Sequence, residues 1–109
     1  MSDQSPVEFS NVTVICKANI YFDGKVVSHA IELADGSRKT LGLIYPGGYK
    51  FDTGAPELME LVAGACRVRI AGQGDWQEYA TGDSFEVPGE SFFEIDVVDG
   101  IAEYVCSFK

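Results

Sequence analysis

Few side chains in this sequence are equipped for chemistry, and their types narrow what it could be. There is one histidine, His29, so any acid/base couple built on imidazole has a single ring to work with. The three cysteines, Cys16, Cys66 and Cys106, show no Cys-x-x-Cys spacing and lie in the apolar runs "VTVICKA", "GACRVRI" and "AEYVCSF". That is the setting of small buried thiols in a reducing compartment rather than of a nucleophile or a metal ligand. What remains is carboxylate, hydroxyl and cation chemistry: Glu57 in "APELMEL", Thr53 in "KFDTG", Ser91 in "PGESFF", and Arg38 beside Lys39 in "DGSRKT". A guanidinium holds phosphate through two parallel hydrogen bonds, which an ammonium cannot do. Adjacent strand residues face opposite ways, so only one of Arg38 and Lys39 serves a given site, and a solvated hairpin end is the alternative for both. Thr53 stands two residues after Phe51, so on a strand the two share a face. Its hydroxyl is a candidate for ligand contact, or else for capping a turn.

These residues need elements to place them. Short apolar or alternating runs recur along the chain, among them "GKVVSHAIEL", "KTLGLIY", "LMELVAG", "CRVRIAG", "SFEVP" and "FFEIDVV". In "CRVRI" the arginines Arg67 and Arg69 alternate with Val68 and Ile70, the period-two pattern of a half-buried strand. Turn signals such as "FDGK", "ADGS", "PGG", "GQGD", "TGD" and "VDG" separate the runs, and the 12 glycines suit that many tight turns. No segment shows a clean helical period. Roughly ten short strands with regular turns predict an all-β sandwich or small barrel. We expect a polar tail over residues 1–8 and one domain over 9–109. His29 belongs on a strand at an edge or surface, and Trp76 in "GDWQEY" is expected to anchor the core or an interface.

At 109 residues the chain supports one hydrophobic core, and with 46% hydrophobic and 23% charged residues it reads as globular. A formal charge of −9 repels nucleic acid and anionic membrane. A small anionic substrate would need only a local cluster of donors. No apolar run approaches the roughly 20 residues of a membrane span, and "MSDQSPVEFS" has no signal-peptide character. The expected compartment is the cytoplasm.

Two stretches carry a resemblance. "YPGGYKFDTGAPELMELVAG" resembles the first metal-binding motif of the cupins, with Glu57 and Gly64 at the motif's spacing but "KFDT" where its histidines belong. "GDSFEVPGESFFEI" resembles the second motif through Gly82 and Pro88, with Glu90, Phe93 and Val97 where that motif expects glycine, histidine and asparagine. The frame implies a single small cupin-like β-barrel or jelly roll. Phe51, Thr53 and Phe93 cannot stand in for imidazole ligands, so no metal is expected.

Taken with "YFDGKV", "GSRKT", "TGAPELME" and "YVCSF" in this order, the chain from about Phe9 to Phe108 resembles the pyrimidine/purine nucleoside phosphorylase family. That resemblance implies phosphorolysis: nucleoside plus inorganic phosphate gives free base plus ribose 1-phosphate, with broad base tolerance and no cofactor beyond phosphate as co-substrate. Such chemistry needs phosphate held at the anomeric carbon, stabilisation of the oxocarbenium charge, and a loose grip on the base. On that basis Glu57 and Thr53 are the catalytic candidates, with Glu57 otherwise a structural acceptor for the amides of the "TGAP" loop. Arg38, Ser91, Phe51 and Phe93 are the substrate-binding ones, Ser91 through phosphate or else in a backbone contact, and the two phenylalanines as stacking surfaces if they are not simply core. Partners are nucleosides and phosphate, with a homodimer expected because edge strands need cover. A non-catalytic ligand-binding cupin, or a sugar-nucleotide isomerase or epimerase, stays open as an alternative.

Overall fold

The alternation in the sequence becomes strands wherever one side chain in two has a core to enter. The computed structural model describes residue 6 and residues 8–108; most of the tail expected over residues 1–8 lies outside them. Eleven strands follow one another: β1 (Thr13–Val14), β2 (Asn19–Tyr21), β3 (Val26–Glu32), β4 (Arg38–Ile44), β5 (Gly47–Asp52), β6 (Glu57–Ala63), β7 (Ala65–Ile70), β8 (Gln77–Ala80), β9 (Ser84–Val87), β10 (Phe92–Val97) and β11 (Ala102–Phe108). Among the described residues a single 3₁₀ turn, Phe22–Gly24, joins β2 to β3.

The strands form two sheets. The larger runs β1-β3-β4-β11-β6-β9, with β2 also pairing β3, and the smaller runs β5-β10-β7-β8. Every pairing is antiparallel. Between the sheets lies the core. Val68, Ile70, Phe93, Ile95 and Val97 enter it from the smaller sheet, and Val26, Ile44, Met59, Leu61, Ala102 and Cys106 from the larger. On β7 the arginines face out as their alternation requires, Arg67 pairing with Asp96 (Nε–Oδ2 2.9 Å) and Arg69 with Glu94 (Nη2–Oε1 2.8 Å) across to β10.

Two expectations change here. Of the two placements expected for Trp76 the core is excluded: its ring lies over both guanidiniums, 4.9 Å from Arg67 and 4.8 Å from Arg69, on the outer face of the smaller sheet. The apolar indole covers charges that the sheet turns outward. Cys16 is exposed, because the segment before β2 runs along the surface, whereas Cys66 and Cys106 are buried. His29 is half-buried on β3, with Nδ1 3.2 Å from the carbonyl oxygen of Ile15.

The motif frame has a physical basis. Gly64, between β6 and β7, has φ +85°, and a Cβ there would overlap the carbonyl oxygen of Ile101, so both backbone freedom and lack of bulk are used. Glu90, where the second motif favours glycine, also has positive φ (+49°). Its side chain is exposed, so the departure costs backbone strain and no packing.

Candidate active site

One end of the space between the sheets is open, forming a cavity of about 470 Å³, within the usual range for small-ligand sites. Its two walls differ in chemistry. The aromatic wall is built by Phe51 of β5 and Phe93 of β10, which are register partners. Their rings stack at 5.6 Å and 25°. Phe22, from the 3₁₀ turn, closes edge-on against Phe51 at 5.4 Å and 87°, and Tyr21 does the same at 6.2 Å and 86°. Phe22 carries φ +54°, a region a bulky side chain seldom enters. Its contacts with Phe51 and Tyr49 (5.0 Å) hold it there.

The opposite wall is the inner face of the larger sheet, and it is polar. Ser28 of β3, Thr40 of β4, Tyr104 and Cys106 of β11 and Glu57 of β6 all line the cavity. They occupy neighbouring rows of the sheet: Ser28, Gly42 and Tyr104 are partners across β3, β4 and β11, and Thr40 partners Cys106 in the row beside them. Glu57 is half-buried at the start of β6, opposite Phe108 of β11 and Val87 of β9. Burial pushes its carboxyl above the usual value, partly offset by the thiol of Cys106 beside it. The same neighbourhood drives that thiol up to about 12, through burial first and the Glu57 charge second. Cys106 therefore stays a neutral donor rather than a nucleophile.

Of the residues singled out in the sequence, Glu57, Phe51 and Phe93 come together in this cavity. Thr53, Ser91 and Arg38 do not line it. The orientation expected for Thr53 is corrected: strand β5 ends at Asp52, and the Thr53 hydroxyl donates to the carbonyl of Pro88 (2.7 Å) and accepts from the amide of Ser91 (3.0 Å). A third bond, from the Thr53 amide to the Ser91 carbonyl (2.9 Å), completes a latch between the loop after β5 and the loop before β10. Ser91 is thus the main-chain partner of Thr53. Arg38 is exposed at the β3–β4 hairpin, facing Glu32 at 3.7 Å. Lys39 reaches the other way to donate to Ser107 Oγ (2.6 Å). The cation found among the cavity-lining residues is Lys50, whose ammonium stands 4.4 Å over the Phe92 ring.

Sequence reasoning did not single out Phe22, Ser28, Thr40 or Tyr104 for the site, and read Cys106 only as a small buried thiol. A signal was available. In "VVSHAI" and "KTLGLI" the phase that carries Val26 and Ile44 inward also carries Ser28, Thr40 and Gly42 inward. Polar residues in an apolar phase mark a wetted stretch of the inner face.

A cupin-like frame raises the question of a metal. Among the described residues no three His, Cys, Asp or Glu side chains converge. At this cavity Glu57 and Cys106 face phenylalanine rings, which offer no ligand atom. The donor set does not fit a transition metal. Among the described residues no helix is long and apolar enough to cross a membrane.

Comparison with known proteins agrees with this architecture. The family model for pyrimidine/purine nucleoside phosphorylase matches residues 16–108. A pyrimidine/purine nucleoside phosphorylase of Cupriavidus metallidurans is 55% identical over 101 residues, 93% of this chain and 97% of that one. One of Methylococcus capsulatus is 57% identical over 101 residues, with the same coverage of 93% and 97%. A crystal structure of an Acinetobacter protein of unknown function superposes with TM-score 0.91 at 42% identity, covering 94% of this chain and 98% of that one. Bacillus subtilis oxalate decarboxylase superposes with TM-score 0.73 at 14% identity, covering 98% of this chain and 31% of that one, a likeness of fold alone.

Proposed function

The chain belongs to the pyrimidine/purine nucleoside phosphorylase family, and from that premise we propose that it transfers a ribosyl group from nucleosides to inorganic phosphate. The base leaves and ribose 1-phosphate forms. The observation that carries this reading to particular residues is the two-walled cavity: an aromatic wall facing a polar one that contains a half-buried carboxylate.

Each wall suits one half of a nucleoside. The stacked Phe51 and Phe93, with Phe22 at their edge, offer π-faces that any base can lie on, which gives tolerance of purine and pyrimidine alike. Glu57 lies on the opposite wall, where the sugar would be. As the glycosidic bond breaks, positive charge grows at the anomeric carbon, and a carboxylate held in a partly desolvated site stabilises it more than water would. The incoming phosphate oxygen takes the bond that the base gives up. Thr53 and Ser91 support this arrangement by holding the loop between Asp52 and Glu57 in place, and Arg38 has no role in it.

No cofactor is needed beyond phosphate as co-substrate. Activity is therefore expected to survive exhaustive chelation; stoichiometric transition metal together with loss of turnover in chelator would overturn this. The defining experiment is incubation of the purified protein with uridine or adenosine, with and without phosphate. Release of base that requires phosphate is the expected result. Release without phosphate would indicate a hydrolase, and no release a binding module.

A further inference from the structure

Ser28, Gly42 and Tyr104 stand in one row across three neighbouring strands, β3, β4 and β11. The row extends outward to Asn19 of β2, the partner of Ser28. The middle member has no side chain, and the Tyr104 ring fills the vacancy. A Cβ on Gly42 would collide with Cε2, Cζ and Oη of that ring. Glycine inside a strand weakens it, so this one marks a place where a neighbouring side chain must lie flat on the backbone. The ring crosses β4 toward β3, where Ser28 stands in the same row and lines the same cavity. Ser28 is 3% exposed, and its Oγ accepts from Asn19 Nδ2 at 3.3 Å.

The donor order of this chain has a consequence. With Asn19 donating to Ser28 Oγ, the serine proton is free to go to Tyr104 Oη, and the phenolic proton is then free to point into the cavity. Burial holds the phenol well above its ordinary value, with the Cys106 thiol, Tyr21 and Glu57 acting in the same sense. The hydroxyl therefore remains a donor at all ordinary pH. Tyr104 and Glu57 line the same cavity on the polar wall, across from Phe51 and Phe93.

Resting on the phosphorylase reading, we infer that Tyr104 is a specificity-determining residue that donates a hydrogen bond to a ring hydroxyl of the ribose, with Ser28 as its positioning residue. A site that hydrogen-bonds a substrate hydroxyl discriminates against the analogue lacking it, because its own polar group is left unpaired. The chain Asn19–Ser28–Tyr104 is therefore the device that prefers ribonucleosides to one of the two deoxynucleoside series.

The test compares kcat/KM for uridine, 2′-deoxyuridine and 3′-deoxyuridine, with phosphate, in the wild type, Tyr104→Phe and Ser28→Ala. Tyr104→Phe keeps the ring over Gly42 and removes only the hydroxyl. It should lower kcat/KM for uridine about tenfold or more while changing that for one deoxynucleoside by less than about threefold, collapsing the preference. Ser28→Ala should reduce the same preference in the same direction by a smaller factor, and circular dichroism establishes that each variant is folded. An equal fall on all three substrates, or undiminished preference in both variants, would overturn the inference while leaving phosphorolysis intact. A wild type that releases no base from uridine with phosphate would overturn the phosphorylase reading and the role of Tyr104 with it. If Tyr104→Phe fails to fold, Ser28→Ala alone decides: retained preference refutes the alignment, lost preference supports it.

Discussion

Glu57 sits at a position that places a carboxyl against an apolar interior, and two consequences follow that can be separated. The first is catalytic. Replacement by glutamine keeps size and shape, so Glu57→Gln should fold and lose turnover by roughly 10²-fold or more, the order expected when one preorganised contact to a charged transition state is removed. Arg67→Gln, on the outer face, should leave turnover unchanged and cost at most about 1 kcal/mol of stability through its ion pair with Asp96. The second is thermodynamic. Burial raises the Glu57 carboxyl from its ordinary value of 4.5, so between that value and the raised one the folded chain keeps a proton that the unfolded chain has shed. Stability contributed by this group falls as pH rises through that window. Glutamine does not titrate, so the Tm of Glu57→Gln minus that of the wild type should be more positive at about pH 7 than at about pH 4. A pH-independent difference would show that the carboxyl is not desolvated. Phe22 makes a similar separation possible. Its φ of +54° suits asparagine far better than phenylalanine. Phe22→Asn should therefore hold or raise Tm while raising KM for nucleosides several-fold through loss of the ring against Phe51; unchanged KM would exclude Phe22 from the base site. At this scale the sequence was informative where spacing within a motif set the direction, as for Glu57, Phe51 and Phe93. It misled for Thr53 because extrapolating strand alternation by one residue too many overlooked where β5 stops.

The element scale explains why. Thr53 joins two loops that are 38 residues apart in sequence, and nothing local announces that its hydroxyl will find the Pro88 carbonyl and the Ser91 amide before it finds a ligand. A hydroxyl beside two backbone groups is satisfied by them first, as buried polar groups generally are. Thr53→Val, nearly isosteric, strips both bonds and leaves a buried amide to find another partner, at a cost of about 1–3 kcal/mol. Turnover of the folded variant should fall little at temperatures well below its Tm; a loss of turnover as large as that of Glu57→Gln would return Thr53 to the catalytic group. The strands themselves were legible. Alternation in "CRVRI" and the turn dipeptides correctly separate β7 from its neighbours, and the positive-φ glycines mark real turns. What no single strand discloses is register. That Ser28, Gly42 and Tyr104 fall in one row depends on pairings between segments far apart in the chain. Alternation says which face each residue takes and is silent on its cross-strand neighbours.

For the whole molecule, the outer face of the larger sheet presents apolar surface among the described residues. A cupin-like sandwich has one internal core, yet Ile31 and Val105 are buried on the side away from it, beside Leu41 and Leu43, each 36% exposed, and Val14, 55% exposed. These line a mainly apolar groove of about 360 Å³ that also takes in Phe9 and Val12 from the segment before β1 and two carboxylates, Glu8 and Glu103. Edge pairing is a weaker route to a dimer. Of the edge strands, β1 has 2 residues, β2 has 3, and β8 and β9 have 4 each, and short edges resist pairing with another chain. The face is the better candidate, and a second copy of this chain is the occupant we propose. Two copies of net charge −9 repel at long range, but salt screens that repulsion, and two identical apolar faces bury each other about a two-fold axis. The prediction is a homodimer by light scattering at micromolar concentration. Leu43→Asp should convert it to a monomer: placed near the middle of the apolar face, the carboxylate meets its own copy or neighbouring leucines across the axis and is desolvated without a partner. Because Leu43 faces away from the core, the isolated protomer should still fold, and the cavity on the opposite face of the sheet should still bind nucleoside. A wild-type protein of monomer mass would refute the assembly. A Leu43→Asp variant that stays dimeric would move the interface to another surface, with β5, the one 6-residue edge, as the next place to look.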